Sequence, residues 1–112
     1  MSAQLQPRWL SVEDYLAFEE CSEVKHEYIN GEIYAMAGAS TRHNQITLNL
    51  ASRLIGRLRS SPCEVFVADV KLHLKELGAE IFYYPDLMVC CDPNDRDPYY
   101  RARPCLIIEV LS

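Results

Sequence analysis

The chain has 112 residues, 49% hydrophobic and 24% charged, which fits one ordinary globular domain. Its net charge of −5 excludes a global basic field, so a nucleic-acid partner would have to be met by a local basic patch. No run approaches the ~18 apolar residues of a membrane span and no basic-then-apolar leader opens the chain, so a cytoplasmic protein without a membrane partner is expected. Cys21, Cys63, Cys90, Cys91 and Cys105 are odd in number and contain no C-x-x-C pair. They read as small buried hydrophobes in a reducing compartment rather than as a disulfide framework or a zinc knuckle.

Residues 1–10 read as an N-terminal extension and 11–112 as the domain. Ser11 is placed to cap a helix, with Asp14 at its third position and Val12, Tyr15, Leu16 and Glu19 at helical spacing. In "HEYINGEIYAMAG" the central Asn30-Gly31 is a hairpin signal flanked by short strands. The segment "RHNQITLNLASRLIGRLRSS" predicts the clearest helix. Ile46, Leu50, Leu54 and Leu58 recur every four residues, Ala51 and Ile55 widen the stripe, and Gln45, Asn49, Ser52 and Arg59 fall on the far side. Pro62 marks its end. "EVFVADVKLHL" alternates as one strand, with Val70, Leu72 and Leu74 on one face and Asp69, Lys71 and His73 on the other. "KELGAE" links it to "IFYYPDLMVCC". "DPNDRDPYYRARP" is a polar, proline-punctuated loop, and "CLIIEVLS" is a last buried strand. Helix, hairpin, helix and three strands predict an α+β (α/β layered) fold, with helices packed on a mixed sheet.

The Pro85-Asp86 pair interrupts an apolar strand. Proline removes a ladder donor, and a carboxylate there must be paired, hydrated or bound to a cation. Antiparallel pairing of the two long strands, with Leu74 opposite Ile81, makes facing residue numbers sum to 155. Asp69 then faces Asp86, Lys71 faces Tyr84 and His73 faces Phe82, while Val70, Leu72, Ile81, Tyr83, Leu87 and Val89 form an apolar surface. Opposed carboxylates repel unless a divalent cation lies between them. Glu109, the sole charge in "LIIEVLS", completes the set if its strand lies alongside. Hard oxygen donors of this kind suit Mg²⁺ or Mn²⁺, and the chemistry is metal-assisted attack of water on a phosphodiester, with a nearby lysine orienting the nucleophile or offsetting charge. The competing reading of Asp86 is a bulge cap after a proline. Arg42, Arg53, Arg57 and Arg59 either track a phosphate backbone or form an ordinary solvated face.

"SVEDYLAFEE", "KHEYINGEIYAMAGAS", "RHNQI", "YYPDLMV" and "LIIEVLS" together resemble, in order, the recurring segments of the Uma-type restriction endonuclease family. That family, catalogued as a domain of unknown function, lies within the PD-(D/E)XK nuclease superfamily. The resemblance covers about residues 9–112. It implies a restriction-endonuclease-like fold and a metal-dependent endonuclease acting on DNA. Asp86 matches the superfamily's PD aspartate and Glu109 its (D/E), both metal ligands. The superfamily's lysine would stand two residues after Glu109, where this chain has Leu111, so Lys71 is the substitute candidate, against a surface or ion-paired lysine. Glu27 resembles a carboxylate that many members bring to the metal, against a solvated strand-end charge. His43 is a candidate for the substrate phosphate, against a helix-start cap. The family's domain usually continues past this point into another helix and further strands, so residues 11–112 are expected to be incomplete, truncated at the C-terminus. The alternative function is a non-catalytic remnant acting as a binding or oligomerisation module. An open apolar last strand would invite a homodimer.

Overall fold

The structure, a computed structural model, describes residues 9–111. The elements run α1 (Val12–Cys21), β1 (His26–Ile29), β2 (Glu32–Ala35), α2 (Thr41–Leu58), β3 (Glu64–Val67), β4 (Lys71–Glu76), β5 (Ala79–Tyr83), β6 (Leu87–Cys90), β7 (Tyr100–Arg101) and β8 (Leu106–Ile108). Two compact units divide them. One runs to Ala37 and adds His73–Tyr83; the other is Gly38–Leu72 with the chain from Tyr84 onward.

In the first unit α1 starts where the sequence predicts, with the Ser11 hydroxyl accepting the Asp14 N–H at 3.1 Å. This bond satisfies one of the donors that a helix start leaves open. Buried Glu19, the last member of the helical pattern, accepts the His26 N–H at 2.6 Å and lies 3.0 Å from His26 Nδ1. The carboxylate thereby ties the end of α1 to the start of β1. Asn30 and Gly31 both have positive φ, 47° and 104°, the backbone of a two-residue hairpin turn. A Cβ on Gly31 would run into the Trp9 ring. Trp9 and Leu10, assigned above to the extension, are therefore part of the packing: the Leu10 N–H donates to the Gly31 carbonyl at 2.8 Å and the Tyr28 hydroxyl to the Leu10 carbonyl at 2.7 Å. Gly31→Ala is expected to lower stability by more than about 1 kcal/mol and to alter Trp9 fluorescence; chemical denaturation followed at the tryptophan checks both.

The core of this unit is aromatic. Tyr15 and Phe82 are fully buried and Tyr28 nearly so. Ring centroids lie 4.8 Å apart for Tyr15–Tyr28, 5.4 Å for Tyr15–Phe82 and 5.9 Å for Tyr28–Phe82. The Tyr15 hydroxyl donates to the His26 carbonyl at 2.6 Å, so its polar end is satisfied inside the core. The expected juxtaposition of His73 and Phe82 appears as parallel rings 4.2 Å apart. Between β4 and β5 the linker is a two-residue turn, Leu77 and Gly78, both at positive φ.

In the second unit α2 lies on a three-stranded antiparallel sheet, in the order β3-β6-β8. The Ser40 hydroxyl caps α2 by accepting the His43 N–H at 3.1 Å. Ala51, Leu87 and Val89 are buried, and Leu50, Leu54, Leu58, Val65, Val67 and Ile108 pack against them. The apolar stripe is rotated from the one read in the sequence. Thr47 is buried, turning its hydroxyl back to the His43 carbonyl at 3.0 Å, whereas Ile46 and Ile55 are 38% and 44% exposed.

Neither long strand is continuous. "EVFVADVKLHL" breaks between β3 and β4, where Ala68 has a φ of 40°, and "IFYYPDLMVCC" breaks between β5 and β6 at Pro85-Asp86. The expected register fails beyond that break. Glu64 faces Cys90 and Val67 faces Leu87, so facing numbers sum to 154, not 155. One additional residue on the β3 side puts the pleat out of step, which is the geometry of a bulge. The single apolar surface expected from Val70 to Val89 is accordingly not one face. Leu87 and Val89 pack under α2, and in the other unit Phe82 is the buried residue while Ile81 and Tyr83 are half-buried.

The proline-punctuated loop holds the short strand β7, parallel to the start of β4 through Lys71–Tyr100 and Leu72–Arg101. Buried Asp95 organises that loop by accepting the backbone N–H groups of Ala102 and Arg103 at 2.7–3.0 Å. The "CLIIEVLS" strand is an edge, not a buried strand: Leu106 and Ile107 are 42% and 39% exposed. Cys63 and Cys91 form a disulfide, which corrects the expectation of thiols alone. It arises because the β3–β6 register, carried one pair past Glu64–Cys90, brings Cys63 opposite Cys91. No helix of the described residues is long and apolar enough to cross a membrane.

Candidate functional site

The break at Pro85-Asp86 is where chemistry-bearing groups of the second unit gather. Pro85 is fully buried and sits between strands, so its missing N–H interrupts no ladder. The Asp86 carbonyl still accepts the Ala68 N–H at 3.2 Å, but its side chain turns away from the pleat. Asp86 Oδ2 accepts the Val110 N–H at 2.7 Å and lies 3.1 Å from His43 Nε2. β6 pairs with β8 through Leu87–Ile108, so the next residues outward are Asp86 and Glu109. Glu109 Oε1 accepts the Asp86 N–H at 3.3 Å. Glu109, just past β8, thus reaches the Asp86 backbone just before β6, at one end of the sheet.

His43 reaches Asp86 from the first turn of α2, where unpaired N–H groups and the helix dipole favour negative charge. Side-chain exposure is 15% for His43 and 23% for Asp86, so the pair is half-sheltered. The sequence made His43 a cap or a phosphate contact; Ser40 is the cap, and the imidazole lies against the Asp86 carboxylate. Neither the His43–Asp86 contact nor the Val110 N–H was foreseen. The first depends on how α2 lies over β6, and the second on a backbone group with no sequence signature.

Lys71 is buried, 7% exposed, with Nζ 5.5 Å from the centroid of the Tyr84 ring. Tyr84 stands two residues before Asp86 and offers the ammonium a π-face. Asp69 is exposed in the broken segment, its N–H bonded to the Val67 carbonyl. It does not face Asp86 across a ladder, because the register shift removes that pairing. Glu27 lies in β1 opposite Tyr34, in the first unit. Arg42 is exposed and, with Ser40, His43, Ile46 and Leu111, lines an open groove of about 470 Å³. Arg53 and Arg57 are exposed farther along α2.

Among the described residues no three His, Cys, Asp or Glu side chains are grouped to hold a metal. Asp86 and Glu109 carry carboxylate oxygens, the donor type of hard divalent cations such as Mg²⁺, which take one or two carboxylates and keep several waters. Asp86 spends one oxygen on Val110 and His43, which leaves Oδ1 as a hard donor. Glu109 is exposed and Asp86 half-buried.

The architecture is α+β, with mixed strand directions. It matches a crystal structure described as "a putative nuclease belonging to DUF820" from Anabaena variabilis, at a TM-score of 0.71 and 19% identity, over 92% of this chain and 59% of that one. The family model described as "Uma2: Putative restriction endonuclease" matches residues 12–112, and the chain belongs to that family. Two curated relatives from Synechocystis, "Uncharacterized protein slr1290" and "Uncharacterized protein sll1609", are each 39% identical over 92% of this chain. The chain spans 54% and 59% of their lengths.

Proposed function

We propose that this chain carries the metal-binding part of an endonuclease that hydrolyses DNA phosphodiester bonds with Mg²⁺ or Mn²⁺. The observation that carries the reading is the contact of the Glu109 carboxylate with the Asp86 N–H at the Pro85 break, with His43 and the Val110 N–H holding the Asp86 carboxylate. Asp86 and Glu109 would hold the divalent ion, which would supply Lewis-acid activation of water and offset phosphoryl charge, while His43 holds the Asp86 carboxylate in place. Lys71, sheltered beside Tyr84, supplies a fixed positive charge toward the negative phosphoryl group. Arg42 contacts a backbone phosphate at the groove beside the α2 start. In the reaction water oxygen forms a new P–O bond as one bridging P–O bond breaks. A second copy pairing along the β8 edge belongs to the same reading.

The test has two arms. Supercoiled plasmid incubated with the protein and Mg²⁺ or Mn²⁺ is expected to be nicked or linearised, and EDTA to stop the reaction. Intact plasmid with both metals would overturn the activity. Separately, Glu109→Gln is expected to weaken Mn²⁺ binding by at least about tenfold, since even groups one shell out from a metal cost 10–100-fold when lost. Calorimetric titration reads this without any need for turnover, and equal affinity in the two proteins would remove Glu109 from the site.

A further inference from the structure

Three of the five sulfurs lie at one end of the β3-β6-β8 sheet. β6 is the middle strand, and Cys91, just past its end, has a cysteine on each side. Cys63, which leads into β3, is disulfide-bonded to it. Cys105, which leads into β8, is a free, exposed thiol with Sγ 3.5 Å from Cys91 Sγ. Its N–H donates to the Val89 carbonyl at 2.8 Å, so the sheet ladder itself fixes the backbone that carries the thiol.

We propose that Cys63, Cys91 and Cys105 form a thiol–disulfide exchange site, in which Cys105 attacks Cys91 and displaces Cys63. Cys105 gives its proton to solvent, and its sulfur forms the new bond to Cys91 Sγ. The Cys63–Cys91 bond breaks, and its electron pair leaves on Cys63, which takes up a proton. One disulfide and one thiol exist before and after, so no external oxidant or reductant is consumed. The exchange moves the covalent tie from the β3 side of β6 to the β8 side, onto the segment that ends in Glu109. It stands independently of the nuclease reading.

The other cysteines do not compete. Cys90 is adjacent in sequence but buried, and burial pushes its thiol up to about 11. It stays protonated where an exposed thiol ionises. Cys21 belongs to the first unit.

The test uses the full chain, first oxidised with glutathione disulfide and freed of it, then held at about pH 8.5, near the ordinary cysteine pKa. Samples are quenched with N-ethylmaleimide over time and mapped by non-reducing peptide mass spectrometry. Label is expected on Cys105 in some molecules and on Cys63 in others, the latter carrying a Cys91–Cys105 bridge. In Cys105→Ser, Cys63 is expected to stay unlabelled. In Cys63→Ser, glutathione disulfide is expected to yield the Cys91–Cys105 bridge. Among Cys63, Cys91 and Cys105, label confined to Cys105 at all times in the wild type, no Cys63–Cys91 bond on oxidation, or no bridge in Cys63→Ser would each overturn the proposal.

Discussion

Asp86→Asn is expected to remain folded and to lose at least about 10³-fold of plasmid cleavage. Asparagine keeps an oxygen that can accept the Val110 N–H, a bond of 2.7 Å in the native chain, so the junction of β6 and β8 keeps its tie. What goes is the negative charge. A metal supplies several kcal/mol of transition-state charge stabilisation, and each 1.36 kcal/mol is a factor of ten in rate, so about 4 kcal/mol lost is about 10³. Asp86→Ala goes further. It leaves the Val110 N–H without its acceptor, which costs a further ~1–3 kcal/mol of stability where that group is sheltered. Circular dichroism and denaturation should therefore show Asp86→Asn near wild type and Asp86→Ala weakened, with cleavage lost in both. Cleavage by Asp86→Asn within a few-fold of wild type would end the metal-ligand role.

The largest expected loss of stability is at Phe82. Its ring is fully buried and is shared by Tyr15, Tyr28 and His73 at centroid distances of 4.2–5.9 Å. Phe82→Ala removes the transfer free energy of a phenyl group and leaves a hole that fixed rings cannot close. The expected cost is about 3–5 kcal/mol, a large share of the 5–15 kcal/mol that holds a typical domain together. Phe82→Leu, which keeps most of the volume, should cost much less. A urea midpoint for Phe82→Ala close to wild type would show that this aromatic cluster is not the core of its unit.

Local signals proved readable and long-range ones did not. Ser11, Asn30-Gly31 and the α2 repeat act within a few residues, so each was visible without knowing the rest of the chain. The offset between β3 and β6 was not visible, because alternation runs smoothly through "FVADVKL" and only the pairing partner shows that a residue is added. That offset undid the expected Asp69–Asp86 pairing. Asp86 and Glu109 could be singled out because a charge in an apolar run stands out wherever it lies, and they are in contact, although Glu109 is exposed rather than buried as the pattern suggested. The contact of His43 with Asp86 was not visible, since that distance is set by helix packing. The Cys63–Cys91 bond escaped for the same reason as the register: cysteine spacing along the chain does not report strand pairing.

The Leu77-Gly78 turn, with Leu77 fully exposed, is the kind of tip that a protease enters first. Chymotrypsin cutting after Leu77 would split the chain into a longer piece bearing Cys63 and a shorter one bearing both Cys91 and Cys105. On a denaturing gel without reductant, molecules bridged through Cys63 migrate as one band, and molecules bridged between Cys91 and Cys105 fall into two. A single nick at an exposed leucine thus turns the position of one covalent bond into a difference in mobility.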